Sequence, residues 1–318
     1  MTPASRSERL DGAAGATTSV RVTRDIAYGK AFVGIGSADG ARLRPLRLDR
    51  YEPAAAALPG QLRPAVVMAF GGAFHRGSKE DDSFEGGAAR NTAVADYCRR
   101  FAEWGCVACS VDYRLVPEDP DAGSTRVVFE PERIPRSRVD VVRRLMGLEP
   151  ATHDALWRGI EAASDDLAAA VRFVQAQAGT WGIDAERIVV GGFSAGARSA
   201  LNVAFAERVP VAAVLSLSGY IDADDLARHL AVPAAAAARP PVLLVHGEHD
   251  LDYIVAGTPA IRAGLRAAGV VCCDITVPGG GHFYPASAPA RDQRGMVTTL
   301  DAAIAAFLHL QIGADCGA

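Results

Sequence analysis

No stretch of the chain reaches the roughly 18 consecutive apolar residues that a membrane-spanning helix needs, so no span is expected. The sequence also lacks a bias of charge. Its 33 basic and 37 acidic residues are intermixed and leave a net charge of −4, which excludes the cationic surface that nucleic acid selects. The first 19 residues are rich in Ala, Gly, Ser and Thr and hold no apolar core of the kind a secretory leader carries. Residues 1–19 therefore read as a disordered tail, and the expected location is cytoplasmic. Cysteine is scarce: six in 318 residues do not make a disulfide scaffold. Cys106 and Cys109 have C-x-x-C spacing, but Cys106-Val107-Ala108-Cys109-Ser110-Val111 reads as a buried strand, with no second pair and no neighbouring histidine to complete a metal or redox site. Cys272 and Cys273 are equally strand-like. Internal repeats are absent.

What is present is the balance of a globular protein, 49% hydrophobic and 22% charged. Apolar β-rich runs at 65–70, 106–113, 187–193, 211–217, 241–246 and 271–277 alternate with helical patterns. That rhythm predicts an α/β fold: a mostly parallel central sheet with helices on both faces. Two earlier strands are expected at 19–27 and 43–51. Helices are expected at 88–104, at 164–178, after residue 194, from Thr258-Pro259 (a cap followed by proline in the first turn) and at 292–309. Residues 20–318 are expected to form one domain. The stretch 115–163 interrupts the rhythm and is too long for a connection, so it reads as an inserted lid or cap. Within it Ser137 is placed to cap a short helix with Val139, Val142, Leu145 and Met146 on its apolar face.

Four segments carry chemistry. Gly192-Phe193-Ser194-Ala195-Gly196 joins a buried strand to a helix, and small residues on both sides of the serine permit the tight turn that exposes a nucleophilic hydroxyl. Phe70-Gly71-Gly72-Ala73-Phe74 follows a central strand, where backbone N–H groups can face a developing oxyanion. Gly72, Ala73 and Ala195 are the expected donors. His246-Gly247-Glu248-His249-Asp250-Leu251-Asp252 ends another strand and offers an acid, Asp250, with Asp252 two residues away as the rival. Gly279-Gly280-Gly281-His282 follows the last strand and offers the base. A hydroxyl becomes a nucleophile at neutral pH when a histidine takes its proton and a carboxylate orients that histidine, and the order Ser194, Asp250, His282 meets this need.

These segments resemble the α/β-hydrolase family, in particular its hormone-sensitive-lipase-like and feruloyl-esterase-like carboxylesterases, over residues 43–310. Val111-Asp112-Tyr113-Arg114-Leu115-Val116-Pro117-Glu118 is similar to the segment those esterases carry after the fourth strand, and Asp165-Asp166 to residues before their nucleophile strand. The chain departs from them in two places. Phe70-Gly71-Gly72-Ala73 stands where that branch usually has His-Gly-Gly-Gly, which leaves His75 as a candidate brace, and the 115–163 insertion is longer than theirs. The resemblance implies a serine carboxylesterase; its mechanism requires no metal or organic cofactor, the expected partners are small to medium carboxylic esters, and a homo-oligomer is an open option. Amide or formamide cleavage, acyl transfer to an alcohol, and a non-catalytic binding protein on the same scaffold are the alternatives. Phe74 and Phe193, with Phe129, Met146 and Trp157 of the insertion, are the expected substrate-binding residues, Val128 and Leu145 joining them. The arginines 126, 133, 136, 138, 143 and 144 admit a carboxylate-bearing substrate, although charge runs commonly lie on wet surface.

Overall fold

The computed structural model describes residues 6–7, 19–58, 60–86, 89–232 and 239–314. Most of the expected tail, like Cys316, lies outside them. Within it Arg6–Ser7 pairs antiparallel with Arg21 and Val22.

Ten further strands of one sheet are labelled here in chain order: β1 (Val20–Val33), β2 (Arg42–Pro53), β3 (Arg63–Ala69), β4 (Val107–Val111), β5 (Ile183–Phe193), β6 (Ala213–Leu217), β7 (Val242–Gly247), β8 (Cys272–Val277), β9 (Pro289–Asp292) and β10 (Val297–Thr299). Their spatial order is β1-β2-β4-β3-β5-β6-β7-β8-β9-β10. Pairing is parallel from β4 through β8 and antiparallel at both ends. The hydropathy of each strand follows its place. Every residue of β4 and β6, and all of β3 after Arg63, is buried, as strands covered on both faces require, whereas β1 alternates buried and exposed positions. Cys109 belongs to β4 and is inert: burial pushes its thiol up to about 12.

The longer helices are α1 (Val94–Glu103), α2 (Ser137–Leu145), α3 (His153–Ala176), α4 (Ala195–Phe205), α5 (Ala223–Ala231), α6 (Asp252–Ala267) and α7 (Leu300–Ile312), and a single helical turn, Ala178–Trp181, follows α3. Three expectations need correction. Helix α3 begins eleven residues before 164, capped by the Thr152 hydroxyl on the Ala155 N–H at 3.1 Å, so the final eleven residues assigned to the insertion are helix packed on the core. Helix α6 starts at Asp252 instead of Thr258. Pro259 lies inside it, and the Thr258 hydroxyl donates to the Ile254 carbonyl at 2.7 Å. The closing helix starts at Leu300, capped by Thr299, because the residues before it form the hairpin of β9 and β10.

Helix α2 has the expected position, but Ser137 does not cap it. Val139 and Val142 are buried while Leu145 and Met146 face solvent. Elsewhere in the insertion Val127, Val128 and Ile134 are buried among core residues. Two ion pairs tie the insertion's root to α3: Arg158 reaches Asp119 at 3.2 Å, and the more buried pair joins Arg114 to Asp166. Arg114 donates Nε and Nη2 to the Asp166 carboxylate at 2.9 to 3.1 Å and its backbone N–H to Oδ2 at 2.8 Å, with both side chains 2% exposed. The two motif segments noticed in the sequence, at 111–118 and 165–166, are thus two halves of one contact. Removing one partner of such a pair strands a buried charge. Asp166→Ala should lower unfolding free energy in urea by about 3–5 kcal/mol, and a loss below about 1 kcal/mol would show that Asp121 alone can satisfy Arg114.

Candidate active site

The loops that leave the C-terminal ends of β3, β5, β6, β7 and β8 converge on Ser194. Strand β5 ends at Phe193, and α4 starts at Ala195, so Ser194 alone makes the turn, with φ of 53° and ψ of −111°. This is a sparsely populated conformation for a side chain with a Cβ, held by the bond from the Ser194 N–H to the Leu217 carbonyl at 2.8 Å. The turn also demands glycine at 196. A Cβ there would stand 2.0 Å from the Ala69 carbonyl oxygen of β3.

Ser194 Oγ lies 2.9 Å from His282 Nε2, and His282 Nδ1 lies 2.6 Å from Asp250 Oδ1. A carboxylate only accepts, so Nδ1 carries the proton and Nε2 is left as the acceptor for the serine hydroxyl. Asp250 also accepts from the Ser218 hydroxyl at 2.5 Å, from the Gly247 N–H at 3.1 Å and from the Leu251 N–H at 2.7 Å. Burial pushes its carboxyl up, but the His282 hydrogen bond and charge, with Ser218 and Leu251, outweigh burial and hold it below the usual value. Of the two candidate acids, Asp250 reaches His282, whereas Asp252 is the exposed first residue of α6. Ser218, which the sequence reading missed, is itself hydrogen-bonded to Tyr284 at 2.8 Å.

The turn after β3 is equally constrained. Gly72 has φ of 126°, where a Cβ would meet the Arg76 carbonyl oxygen at 1.9 Å, and Ala73 and Phe74 follow at φ of 57° and 61°. Left-handed backbone at non-glycine residues costs about 1–2 kcal/mol each, and three anchors hold it. Asp82 accepts the Gly71 N–H at 2.7 Å, His75 Nδ1 lies 2.6 Å from the Ala73 carbonyl, and the Val116 N–H donates to the Phe74 carbonyl at 2.8 Å. His75 is buried and its other nitrogen accepts from Arg143 Nη1 at 3.0 Å. Burial lowers its basicity, so it joins turn and insertion as a neutral ring. Among the described residues, no hydrogen bond within the protein engages the N–H groups of Gly72, Ala73 or Ala195.

A pocket of about 50 Å³ opens beside Ser194. The insertion supplies Ile134, Pro135, Arg138 and Val139 to its wall, α3 supplies Leu156 and Ile160, and Phe74 closes one side. The other expected substrate contacts are elsewhere. Phe193 lies beneath the site, its ring 5.4 Å from that of His282. Phe129 packs on His229 at 5.3 Å between ring centroids, Met146 faces solvent, and Trp157 packs on the core beside the pocket residue Leu156. Helical phase explains these misplacements: α3 turns Leu156 and Ile160 inward, which leaves Trp157 a hundred degrees away. Sequence reading also passed over Arg198, four residues after Ser194 and hence on the same face of α4, which lines the pocket with Tyr220 and Tyr253. A larger hollow of about 430 Å³ among α3, α4 and α5 contains no member of the Ser194 chain. Asp25, Asp49 and Glu80, the one cluster of possible metal ligands among the described residues, converge on the Lys79 ammonium, which forms ion pairs with all three.

Residues 145–274 match the family model described as phospholipase/carboxylesterase, a span that includes Ser194 and Asp250 and stops before His282. Among solved structures, the apo form of Thermogutta terrifontis esterase 2 is 18% identical, covering 93% of this chain and 92% of that one with a TM-score of 0.54. Its propionate-bound form is 20% identical over 84% and 85%, with a TM-score of 0.52, and its paraoxon-phosphorylated form is 19% identical over 82% and 84%, with a TM-score of 0.54. This chain has the α/β-hydrolase fold. No curated protein matches it.

On that fold, Asp82 is the group whose protonation bears most directly on the turn. It accepts the Gly71 N–H and, at 2.7 Å, the Val94 N–H that opens α1, and burial pushes its carboxyl up to about 6 in spite of both bonds. Since the folded state holds this proton more tightly than the unfolded chain, the contribution is fully present below about pH 4 and is lost as pH rises through about 6. Asn at 82 mimics the protonated form. The unfolding free energy of the wild type minus that of Asp82→Asn should therefore fall between about pH 4 and 6 and level off above, and a difference that rises or stays flat in urea titrations would show the reverse or no linkage.

Proposed function

We propose that the protein is a serine esterase that cleaves small carboxylic esters through an acyl-enzyme. The observation that carries this reading is the continuous hydrogen-bonded chain Ser194–His282–Asp250, with the serine held at positive φ above a pocket. Likeness to the phospholipase/carboxylesterase model across 145–274 supports it, as do the esterase relatives of the same fold, one of which is phosphorylated by paraoxon.

In this reading Ser194 Oγ attacks the ester carbonyl while its proton passes to His282 Nε2. Asp250 keeps the Nδ1–H tautomer in place and stabilises the imidazolium that results. The oxyanion accepts from the unengaged N–H groups of Ala73 and Ala195, with Gly72 as a third donor, and the positive end of α4 adds to the field there. The imidazolium then protonates the departing alcohol. Water, deprotonated by His282, releases the carboxylic acid and restores the serine, so protons and electron pairs balance among Ser194, His282, substrate and water. The volume of about 50 Å³ favours a short acyl or alcohol group, and the wall formed by Ile134 and Val139 gives the insertion a part in selecting it.

Ser194→Ala should reduce kcat/KM on p-nitrophenyl butyrate by roughly 10³ or more without lowering the melting temperature. A fluorophosphonate should label the wild type at Ser194, and the matched anilide should turn over far more slowly than the ester. Asp250→Asn should lose orders of magnitude in rate and Asp252→Asn very little. An unlabelled Ser194 would reject the hydrolase reading, and an anilide cleaved as fast as the ester would move it to an amidase.

A further inference from the structure

The pocket beside Ser194 contains cations without counter-ions. Arg198, on the second turn of α4, is only 6% exposed. Among the described residues no carboxylate comes within ion-pair distance of its guanidinium, its Nε has no hydrogen-bond partner, and its nearest ring is Tyr220, 6.0 Å from the guanidinium carbon. Asp222 and Asp225 influence it from further away, but both are occupied. Asp222 caps α5 and pairs with Arg133 at 3.1 Å, and Asp225 accepts the Phe129 N–H at 3.1 Å. Arg138 of the insertion lines the same pocket from α2 and likewise has no ion pair, resting over the Phe283 ring at 5.0 Å. Among the described residues, no aspartate or glutamate lines the pocket.

The remaining arginines of the insertion behave differently, which is why the two stand out. Arg133 pairs with Asp222 and Asp224, Arg136 with Asp140 and Arg158 with Asp119 and Asp154, Arg126 and Arg143 donate to carbonyl oxygens, and Arg144 is exposed to solvent. A guanidinium taken out of water without an anion is costly, and buried charges are as a rule paired, so an anion from outside would relieve that cost here. Burial lowers the basicity of both side chains, in Arg138 with help from the Arg76 charge, and Tyr253 feels the positive field of each arginine, so the two cations face a common space.

We propose that the site selects esters that carry a second, free carboxylate, which Arg198 and Arg138 bind while Ser194 attacks the ester carbonyl. The inference rests on the esterase reading and narrows its substrate class. Guanidinium matches carboxylate in two parallel hydrogen bonds, and with no competing acid in the pocket a substrate carboxylate supplies the missing charge. The small pocket places that carboxylate a few atoms from the scissile bond.

The test compares pairs on the intact enzyme in which a methyl group replaces the carboxylate: monomethyl glutarate against methyl valerate for a carboxylate on the acyl side, and 3-acetoxypropanoate against propyl acetate for one on the alcohol side. In at least one pair kcat/KM should favour the anion roughly tenfold or more, the scale of a charge-assisted hydrogen bond. Arg198→Gln and Arg138→Gln should each lower that ratio about tenfold, and the exposed Arg144→Gln on the same α2 helix should leave it unchanged. Glutarate should also raise the melting temperature of the wild type, an effect that needs neither turnover nor a variant and that the uncharged diamide of the same length, glutaramide, should not reproduce. Equal or better turnover of both neutral esters, with Ser194 still labelled by a fluorophosphonate, would overturn the carboxylate proposal and leave the esterase reading standing. Glutarate binding with an unlabelled Ser194 would overturn the esterase reading, and ester selection with it, leaving only a carboxylate-binding site at Arg198 and Arg138.

Discussion

The first turn of α4 crosses the end of β3 so closely that no atom beyond hydrogen fits on the α-carbon of residue 196, and the rest of the site depends on that approach. It sets Ser194 at positive φ, and it brings the start of α4 beside the turn that leaves β3 at Phe70. Two segments distant in sequence thus come to share one small space, Ser194 from one and the strained Gly72-Ala73-Phe74 turn from the other. Strain of this kind persists only where surrounding contacts over-determine it. Here the Leu217 carbonyl holds the Ser194 N–H, and Asp82, His75 and Val116 hold the second turn.

The anchors come from outside the chemistry, and they tie it to the fold. Asp82 spans from the turn to the N-terminus of α1, which has no capping side chain of its own, so one carboxylate serves a helix end and a loop at once. His75 joins the same turn to Arg143 of the insertion. The insertion in turn is rooted by the Arg114–Asp166 pair and buries Val127, Val128 and Val142 in the core. The segment is packed on the body of the protein, and its Ile134, Pro135, Arg138 and Val139 form part of the pocket wall.

How far the sequence discloses this depends on the range of the interaction. Strands β3 through β8 are legible because burial on both faces demands continuous apolar runs, and Ser194, Asp250 and His282 because each follows a strand and a small or polar turn. The start of α6 was misplaced because Thr258-Pro259 satisfies the local rules of a helix beginning while also fitting within one, the threonine hydroxyl bonding back to Ile254. The last helix was drawn too long because a hairpin of Arg and Thr residues has no periodicity to betray it. Phe129, Met146 and Trp157 were misassigned for a related reason: an aromatic or apolar residue in an insertion announces burial, and only helical phase and tertiary docking decide against what.

Charge was the least legible term, because its meaning depends on pairing. Six arginines of the insertion look alike in sequence, yet in the fold Arg133 and Arg136 satisfy acids, Arg126 and Arg143 satisfy carbonyls, Arg144 faces water, and Arg138 alone of the six lines the pocket. Its companion, Arg198, belongs to no charge run at all and is conspicuous only through its spacing from Ser194. Around Ser194, then, the proposed chemistry calls for two electrostatic tasks with different sources. In the esterase reading, the negative charge developing on the carbonyl oxygen would meet backbone N–H groups fixed by the strained turns, which cost no reorganisation when it forms. In the proposed substrate class, a charge carried permanently by the ligand would meet guanidinium groups already buried and without ion pairs, so the desolvation of those cations is borne by folding, and binding an anion would recover it.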